Sequence, residues 1–379
     1  MAEKLTVEVR LKREIDDSYD IRIGENLFPE VADYLKQFQL GSRCAIVTDS
    51  NVRRFHAGDL ETALKQQGLK TDVFSFEAGE SNKTEDNCTR IIVEMLDKGY
   101  GRDSVVLALG GGVVGDMAGY IAGKFNRGIP FIQIPTTFLA HADSSVGGKT
   151  GVDIVIGNGD NQRVLKNAVG LFNQPKRVYI DVETLRTLPD SEYKNGLAET
   201  IKHAIIREKD FFDGIEENIN LLVQRNSIVY LEIARMNCQI KAGVVQIDPN
   251  EKGLRRILNY GHTAGHAIES LSDFRLSHGE SVSIGMMIAG RISRDLGYFS
   301  DRHLERQERL LRKAGLPVTI PINIFNEDII ELTLKDKKAK GGKARYCLPT
   351  EIGKMHSFDG AYVTYVDKEV VLKALENTR

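Results

Sequence analysis

The run SVVLALGGGVVGDMAGYIA, residues 104–122, constrains the fold of this chain more than any other stretch. A continuous apolar run ends in three glycines and passes into a helical pattern, as a fully buried strand does when it turns into a helix. Gly110, Gly112 and Gly115 fit GxGxxG at that turn. Glycines there permit a tight turn and let backbone approach a pyrophosphate, while the helix that follows offers unpaired N–H groups to the anion. A strand-to-helix turn is also glycine-rich for packing alone, so the motif needs its surroundings. Those are strand-like runs, LTVEVRL, RCAIVTD, TDVFSFE, FIQIP and RVYID, alternating with helical segments near 26–37, 52–67, 84–98 and from Val113. The alternation predicts βαβ units around a Rossmann-like, mostly parallel sheet.

From Ser191 onward the chain reads as long amphipathic segments, until ARYCLP and IGKMHSF suggest a small hairpin. The expected organisation is an α/β N-terminal domain over residues 1–188 and a mainly α-helical C-terminal domain over 189–379, with the boundary near Pro189. The acid that usually follows GxGxxG by about twenty residues is missing, since that region reads IQIPTT. Asp49, at the end of the RCAIVTD strand, serves a ribose if that strand lies beside the glycine-turn strand.

Over 379 residues the formal net charge is -2, so no global basic field points to nucleic acid. Cys44, Cys88, Cys238 and Cys347 lack CxxC spacing, which argues against a disulfide scaffold and a cysteine zinc cage. The N-terminus is charged without an apolar h-region, and no run reaches the length of a membrane span. A cytoplasmic protein with neither nucleic-acid nor membrane partners is expected.

Three of the eight histidines fall in RRILNYGHTAGHAIESLSDFRLSHGE, residues 255–280. His262 and His266 stand four apart on a predicted helix, which places them on one face, and His278 can return to it. Neutral imidazole is a common ligand for zinc-like ions, and catalytic zinc sites typically take three protein ligands and keep a position open. Stacked, satisfied core histidines are the plainer alternative. In NGLAETIKH, Glu199 and Lys202 share a helix face, offering an oxygen ligand and an ammonium to one cavity. Further charged motifs are DSSVGGKT, LKN at 165–167, Lys241, Glu251 and DKK at 336–338. Clustered Lys and Arg in a near-neutral chain suggest a small anionic, phosphorylated substrate, although ordinary i,i+3 surface pairs explain any single lysine. Neither Lys149 nor Arg255 has an adjacent acid in sequence to neutralise it, so both are expected to clamp substrate with little role in folding.

The motifs GESNK at 79–83, GGGVVGDMAGYIA, NRG at 126–128, PTT, DSSVGGKTGV, TLP, NGLAETIKH, RRILNYGHTAGHAIE and HGESVSIGM occur in an order that resembles the 3-dehydroquinate synthase family, the sugar phosphate cyclases, over nearly the entire chain. The resemblance implies one divalent metal, zinc or cobalt, on Glu199, His262 and His278. His266 becomes a substrate-site residue, which revises the natural pairing of His262 with His266. It further implies that Lys149, Lys202, Lys241, Glu251, Arg255, Asn259 and His266 serve the chemistry. Asp143, Lys166, Asn167 and a lysine of the DKK motif, Lys337 or Lys338, would line the substrate pocket. Arg127 would reach a phosphate from the neighbouring subunit of a homodimer. NAD would lie on Asp49, Asn51, Glu80, Lys83, Gly110, Gly111, Gly112, Val113, Gly115, Asp116, Thr136, Thr137 and Thr187. The implied activity is a carbon–oxygen lyase of the shikimate pathway, converting 3-deoxy-D-arabino-heptulosonate 7-phosphate to 3-dehydroquinate and phosphate. A hydroxyl is transiently oxidised by NAD, phosphate leaves, the hydride returns and an intramolecular aldol closes the ring. The metal acts as a Lewis acid.

One stretch departs from the family. Between Lys149 and Lys166 the chain carries VDIVIGNGDNQRV, longer than the usual connection, and its glycines and asparagines read as a mobile loop bordering the site. Arg163 therefore competes with Lys166 for the same role. Two other readings stay open: a different sugar phosphate cyclase, and a metal-dependent alcohol dehydrogenase, which net turnover of NAD would separate. Retention of DSSVGGK favours the dehydroquinate branch.

Overall fold

A computed structural model describes residues 7–12, 14–157, 163–273, 275–335 and 343–379. Its first half contains β1 (Asp20–Gly24), β2 (Arg43–Asp49), β3 (Lys70–Phe76), β4 (Ser104–Gly110), β5 (Phe131–Pro135), β6 (Lys149–Ile156), β7 (Arg163–Phe172) and β8 (Arg177–Asp181). Six of these form a parallel sheet in the order β1-β8-β5-β4-β2-β3. Between them run α1 (Phe28–Phe38), the single turn α2 (Ser50–Val52), α3 (Gly58–Gln66), α4 (Glu85–Asp97) and α5 (Gly112–Lys124). All seven residues of β4 are buried, which explains why it reads as an unbroken apolar run. Alternate strand residues serve opposite faces: Val106 and Ala108 pack with Met117 and Ile121 of α5, while Leu107 and Leu109 pack with Val31 of α1 and Leu60 of α3.

The structure corrects three sequence expectations. Residues 7–11 of LTVEVRL form no strand, and Val7, Val9 and Leu11 are exposed. Alternation specifies two faces of a strand but not a partner, and the edge beside β8 is taken by DIRIG. The insert is also not a loop throughout. β6 and β7 pair as an antiparallel hairpin, with Ile154 opposite Leu165 and Val155 opposite Val164. The β-branched run VDIVI decides this, and the glycine and asparagine signals are confined to the tip, of which residues 158–162 lie outside the described set. Finally, the hairpin of ARYCLP with IGKMHSF forms only at its turn, where Pro349 lies opposite Met355 and His356 donates its N–H to Leu348 O at 2.9 Å, while the ARY part pairs elsewhere. β9 (Ala344–Tyr346) pairs with β12 (Thr364–Val366), and β10 (Pro349–Glu351) pairs with β11 (Lys354–Met355).

The second half is helical: α6 (Asp190–Arg207), α7 (Lys209–Val223), α8 (Ser227–Ile247), α9 (His262–Leu271), α10 (His278–Asp295), α11 (Asp301–Lys313), α12 (Asn326–Lys335) and α13 (Lys368–Glu376). α6 and α10 are buried on most sides, and their core is continuous with Val178 and Ile180 of β8. Ser277 and Glu280 form a capping box that fixes the start of α10, so the Glu of the HGE motif is spent on a helix end. A Cβ on Gly279 would lie 2.5 Å from Asn195 Cα. That close approach brings His278, the first residue of α10, against Glu199 on α6. Among the described residues, no helix is long and apolar enough to cross a membrane.

Candidate active site

β2 and β4 are neighbours, with Val47 opposite Ala108, so Asp49 and Gly110 emerge side by side at the carboxyl edge of the sheet. The chain proceeds from β2 outward to β3 and from β4 outward to β5, which makes this edge the switch point where a crevice opens. The condition set for Asp49 by the sequence is therefore met. Its carboxylate accepts the N–H groups of Asn51 and Val52, both at 2.9 Å, and caps α2. At α5 the N-cap is Gly111, with no side-chain cap and no acid in the first turn, so the N–H groups around Val113 suit an anion. Thr136 donates its N–H to Gly110 O at 3.0 Å, and its buried hydroxyl has no hydrogen-bond partner among the described residues. Thr137 caps the next turn through Ala140 N at 3.1 Å. Thr187 meets His56 Nε2 at 2.8 Å, which places it beside the segment that follows β2.

Glu80 and Lys83 lie at the turn between β3 and α4, and Lys83 Nζ donates to Asp116 Oδ2 and to Asn167 Oδ1, both at 2.6 Å. Candidate cofactor and substrate residues thus meet in one cluster. The hairpin explains how. Between the pairs Val152–Val169 and Ile154–Leu165, β6 has one residue and β7 has three, and the surplus forms a bulge at Lys166 and Asn167. Asn167 takes φ 51°, and its N–H is held by Asp153 Oδ1 at 2.7 Å. Lys166 leaves the bulge toward α9, where Nζ lies 3.1 Å from Glu269 Oε1. Arg163 sits at the far end of the hairpin, opposite Ile156.

On the helical side, Glu199 Oε1 is buried and lacks a hydrogen bond. It lies 3.6 Å from His262 Nε2 and 3.5 Å from His278 Nε2. Ligands each about 2.0–2.2 Å from a tetrahedral ion stand roughly 3.3–3.6 Å apart, so this donor set fits a divalent cation. His262 donates Nδ1–H to Tyr260 O at 3.1 Å, which leaves Nε2 with its lone pair. Burial and the Lys202 ammonium keep His262 neutral, well below the usual histidine range. Burial opposes the charged form of His278 as well, but the carboxylates of Glu199 and Glu269 outweigh it and raise His278 to about 9. His266 is exposed, with its ring 5.1 Å from that of His262. A second set, His266, Glu269 and His278, is also close enough to hold an ion. Its Glu269, however, already serves Lys166.

The cationic residues arrive with partners. Lys202 pairs with Glu199, Lys241 with Asp143 and Lys149 with Glu251, whose other oxygen accepts from Asn259 Nδ2 at 2.8 Å. Burial pushes the Asp143 carboxyl up, but the ammonium groups of Lys241 and Lys202 prevail and hold it well below its ordinary value. Arg255 is buried and donates to Pro249 O at 2.7 Å and Gly147 O at 3.2 Å. Gly147 has φ 100°, and a Cβ there would lie 2.6 Å from Arg255 Nη2, so the first glycine of VGGK is required by the arginine. Two expectations change here. Lys149 does have an acid, 102 positions away in sequence, and Arg255 is part of the fold and not a bare substrate clamp.

A cleft of about 610 Å³ is lined by Glu251, Asn259, His262 and His266, together with Arg256 and Arg345. Lys337 and Lys338 lie outside the described residues. Arg127, at φ 69° beyond the end of α5, is exposed and makes no hydrogen bond or ion pair among the described residues. Sequence reasoning missed Glu269, Asp153 and His203. Glu269 follows His262 by two helical turns, a spacing that signals a shared face. His203 is fully buried, donates Nδ1–H to Asn237 Oδ1 at 3.0 Å and turns Nε2 to within 3.6 Å of Asp143 Oδ1.

A parallel sheet with a switch-point crevice, followed by a helical half that carries a Glu–His–His cluster, is the architecture of this chain, and the fold is that of the sugar phosphate cyclases. The fold matches a 2-deoxy-scyllo-inosose synthase solved with carbaglucose-6-phosphate, NAD+ and Co2+ at a TM-score of 0.85 and 27% identity, covering 95% of this chain and 96% of that one. It matches a 2-epi-5-epi-valiolone synthase from Streptomyces hygroscopicus, with NAD+ and Zn2+ bound, at 0.84 and 27%, covering 98% and 99%. A glycerol dehydrogenase from Schizosaccharomyces pombe shares the fold alone, at 0.63 and 17% identity over 97% and 92% of the two chains. Residues 73–195 match the family model described as 3-dehydroquinate synthase N-terminal, and 196–339 the one described as 3-dehydroquinate synthase C-terminal. The chain is 42% identical to the 3-dehydroquinate synthase of Desulforamulus reducens over 90% of its length and 93% of that protein. With the synthase of Ruminiclostridium cellulolyticum the identity is 41%, over 94% and 96%. The chain belongs to the 3-dehydroquinate synthase family.

Proposed function

We infer that the protein is a 3-dehydroquinate synthase, a lyase that takes 3-deoxy-D-arabino-heptulosonate 7-phosphate to 3-dehydroquinate and inorganic phosphate. The observation that carries this reading is identity of about 40% to such synthases along nearly the whole chain. The chain offers the groups this chemistry needs: an anion-ready helix end, a Glu–His–His donor set and four lysines, two of which, Lys202 and Lys166, pair with Glu199 and Glu269 beside that set. NAD would lie at the β2–β4 edge over Gly110–Gly115, and a zinc or cobalt ion on Glu199, His262 and His278. When bound, the former supplies a reversible hydride acceptor and the latter a Lewis acid for the substrate hydroxyl and carbonyl.

The chain's own residues do the rest. Lys149, Lys166, Lys241 and Arg255 bind and orient the carboxylate and phosphate, and Asn259 and Asn167 fix the hydroxyls. His266, open to the cleft, is placed to take or return a proton, with Glu251 poised beside Lys149. Division of labour near Pro189 leaves cofactor binding to the sheet and metal binding to the helices. An exposed Arg127 without a partner among the described residues suits a homodimer in which it completes the neighbour's phosphate site.

A different cyclase is the second reading, favoured by the fold match to enzymes of that kind but weakened by 27% identity to them against 42% to the synthase. The deciding assay is phosphate release from the seven-carbon substrate with catalytic NAD, with the carbocycle identified by mass spectrometry and NMR. NADH accumulating one for one with product would overturn the cyclase reading.

A further inference from the structure

His262 and His278 are oriented by different means. A backbone carbonyl fixes Nδ1 of His262. For His278 the groups facing the two ring nitrogens are both carboxylates, Glu199 Oε1 3.5 Å from Nε2 and Glu269 Oε2 3.6 Å from Nδ1. Glu269 is 8% exposed, and its second oxygen is the one that meets Lys166. We propose that Glu269 is a positioning residue that sets the tautomer and rotation of His278 while fixing Lys166 in the substrate pocket, so that metal seat and anion site share one carboxylate. The proposal rests on the metal site inferred above.

The chemistry follows from the two oxygens. With Oε2 the acceptor that faces Nδ1, 3.6 Å away, the proton is favoured on Nδ1 and the lone pair of His278 on Nε2, the atom facing Glu199 and His262. With Oε1 on Lys166, the ammonium at the hairpin bulge is held at a fixed distance from that imidazole. Lys166 is the cation that this carboxylate holds.

The test is metal affinity of the full-length protein, measured with Co2+ against a competing chelator and read also in the visible Co2+ spectrum. Glu269→Ala is expected to weaken binding by about 10- to 100-fold, the range typical when such a supporting partner is lost. Glu269→Gln, which keeps an oxygen facing Nδ1, should stay within about threefold of the parent. Lys166→Ala and His266→Ala should leave affinity unchanged. Parental affinity in Glu269→Ala would overturn the proposal. Equal losses in Glu269→Ala, Glu269→Gln and His266→Ala would also overturn it, by showing that Glu269 is itself a ligand. Failure of the underlying metal site looks different: the parent would bind no Co2+, or Glu199→Gln would bind it normally.

Discussion

On the sheet side the groups offered to a ligand are backbone amides and small hydroxyls, set by strand ends and an uncapped helix. Around the Glu–His–His cluster four candidate lysines, from α6, α8 and the β6–β7 hairpin, each lie on a carboxylate: Lys149 on Glu251, Lys166 on Glu269, Lys202 on Glu199 and Lys241 on Asp143. The first arrangement binds charge with partial dipoles and is complete in the empty fold. In the second, an anionic ligand must replace or share existing partners, so the lysines are never bare and the pocket is stable before substrate arrives. Substitutions should accordingly damage folding around the cluster and ligand affinity on the sheet side.

The largest effect is expected at Glu199. Alanine there strands the Lys202 ammonium, which is 1% exposed, at a cost of about 3–5 kcal/mol. Urea unfolding of the metal-free protein measures this, and elemental analysis should find no ion. Adding Lys202→Met to the variant should restore most of the stability. A stoichiometric ion in Glu199→Ala would break the comparison at its centre.

Arg255 and Lys149 come next, as a matched pair. Either alanine variant should lower kcat/KM by about two orders of magnitude, roughly 2.7 kcal/mol. Only Arg255→Ala should also lower the melting temperature, since its guanidinium is buried on Gly147 and Pro249 carbonyls while Lys149 is half exposed. Equal thermal losses would erase the distinction drawn here between clamp and scaffold.

On the sheet side, Gly112→Val should weaken NAD binding by about tenfold or more while leaving ion content and melting temperature near parental. A Cβ there meets Ser144 Oγ at 3.1 Å, which a small adjustment absorbs. Unaltered NAD affinity by calorimetry would move the cofactor away from this turn.

At neutral pH the smallest effect concerns His141, which is fully buried, bonded to Pro135 O at 2.9 Å and Tyr230 Oη at 2.8 Å, and lowered to about 4 chiefly by burial. The unfolded histidine takes up a proton near 6.5 while the folded one does not. Its stability contribution is therefore present above that pH and lost as pH falls toward 4. The slope is at most about 1.4 kcal/mol per pH unit. His141→Gln should flatten the stability profile between pH 6.5 and 4; an unchanged slope would assign acid sensitivity elsewhere.

What the sequence made legible divides along the same line. β4 and the glycine turn were readable because the signal is local: a buried run, then glycines, then a helix. Asp49 was readable only conditionally, since adjacency of β2 and β4 is a property of strand order. The partners of Lys149 and Arg255 were not readable, because Glu251 and Gly147 reach them across more than a hundred positions. The hairpin was misread as loop because glycine and asparagine at its tip outweighed the β-branched run VDIVI that carries the strand. The strand expected in LTVEVRL failed for lack of a partner, which no single segment encodes.

The bulge opposite Asp153 has a consequence for how this chain tolerates change. Register is pinned there by Asp153, Asn167 and Lys83 together, on the side of the hairpin nearest the site. Extra residues past the Ile156–Arg163 pair lengthen the far end and leave Lys166 where it was. The hairpin therefore works as a graduated arm with its zero mark at the bulge, and distance along it is counted outward from Asn167, away from the chemistry.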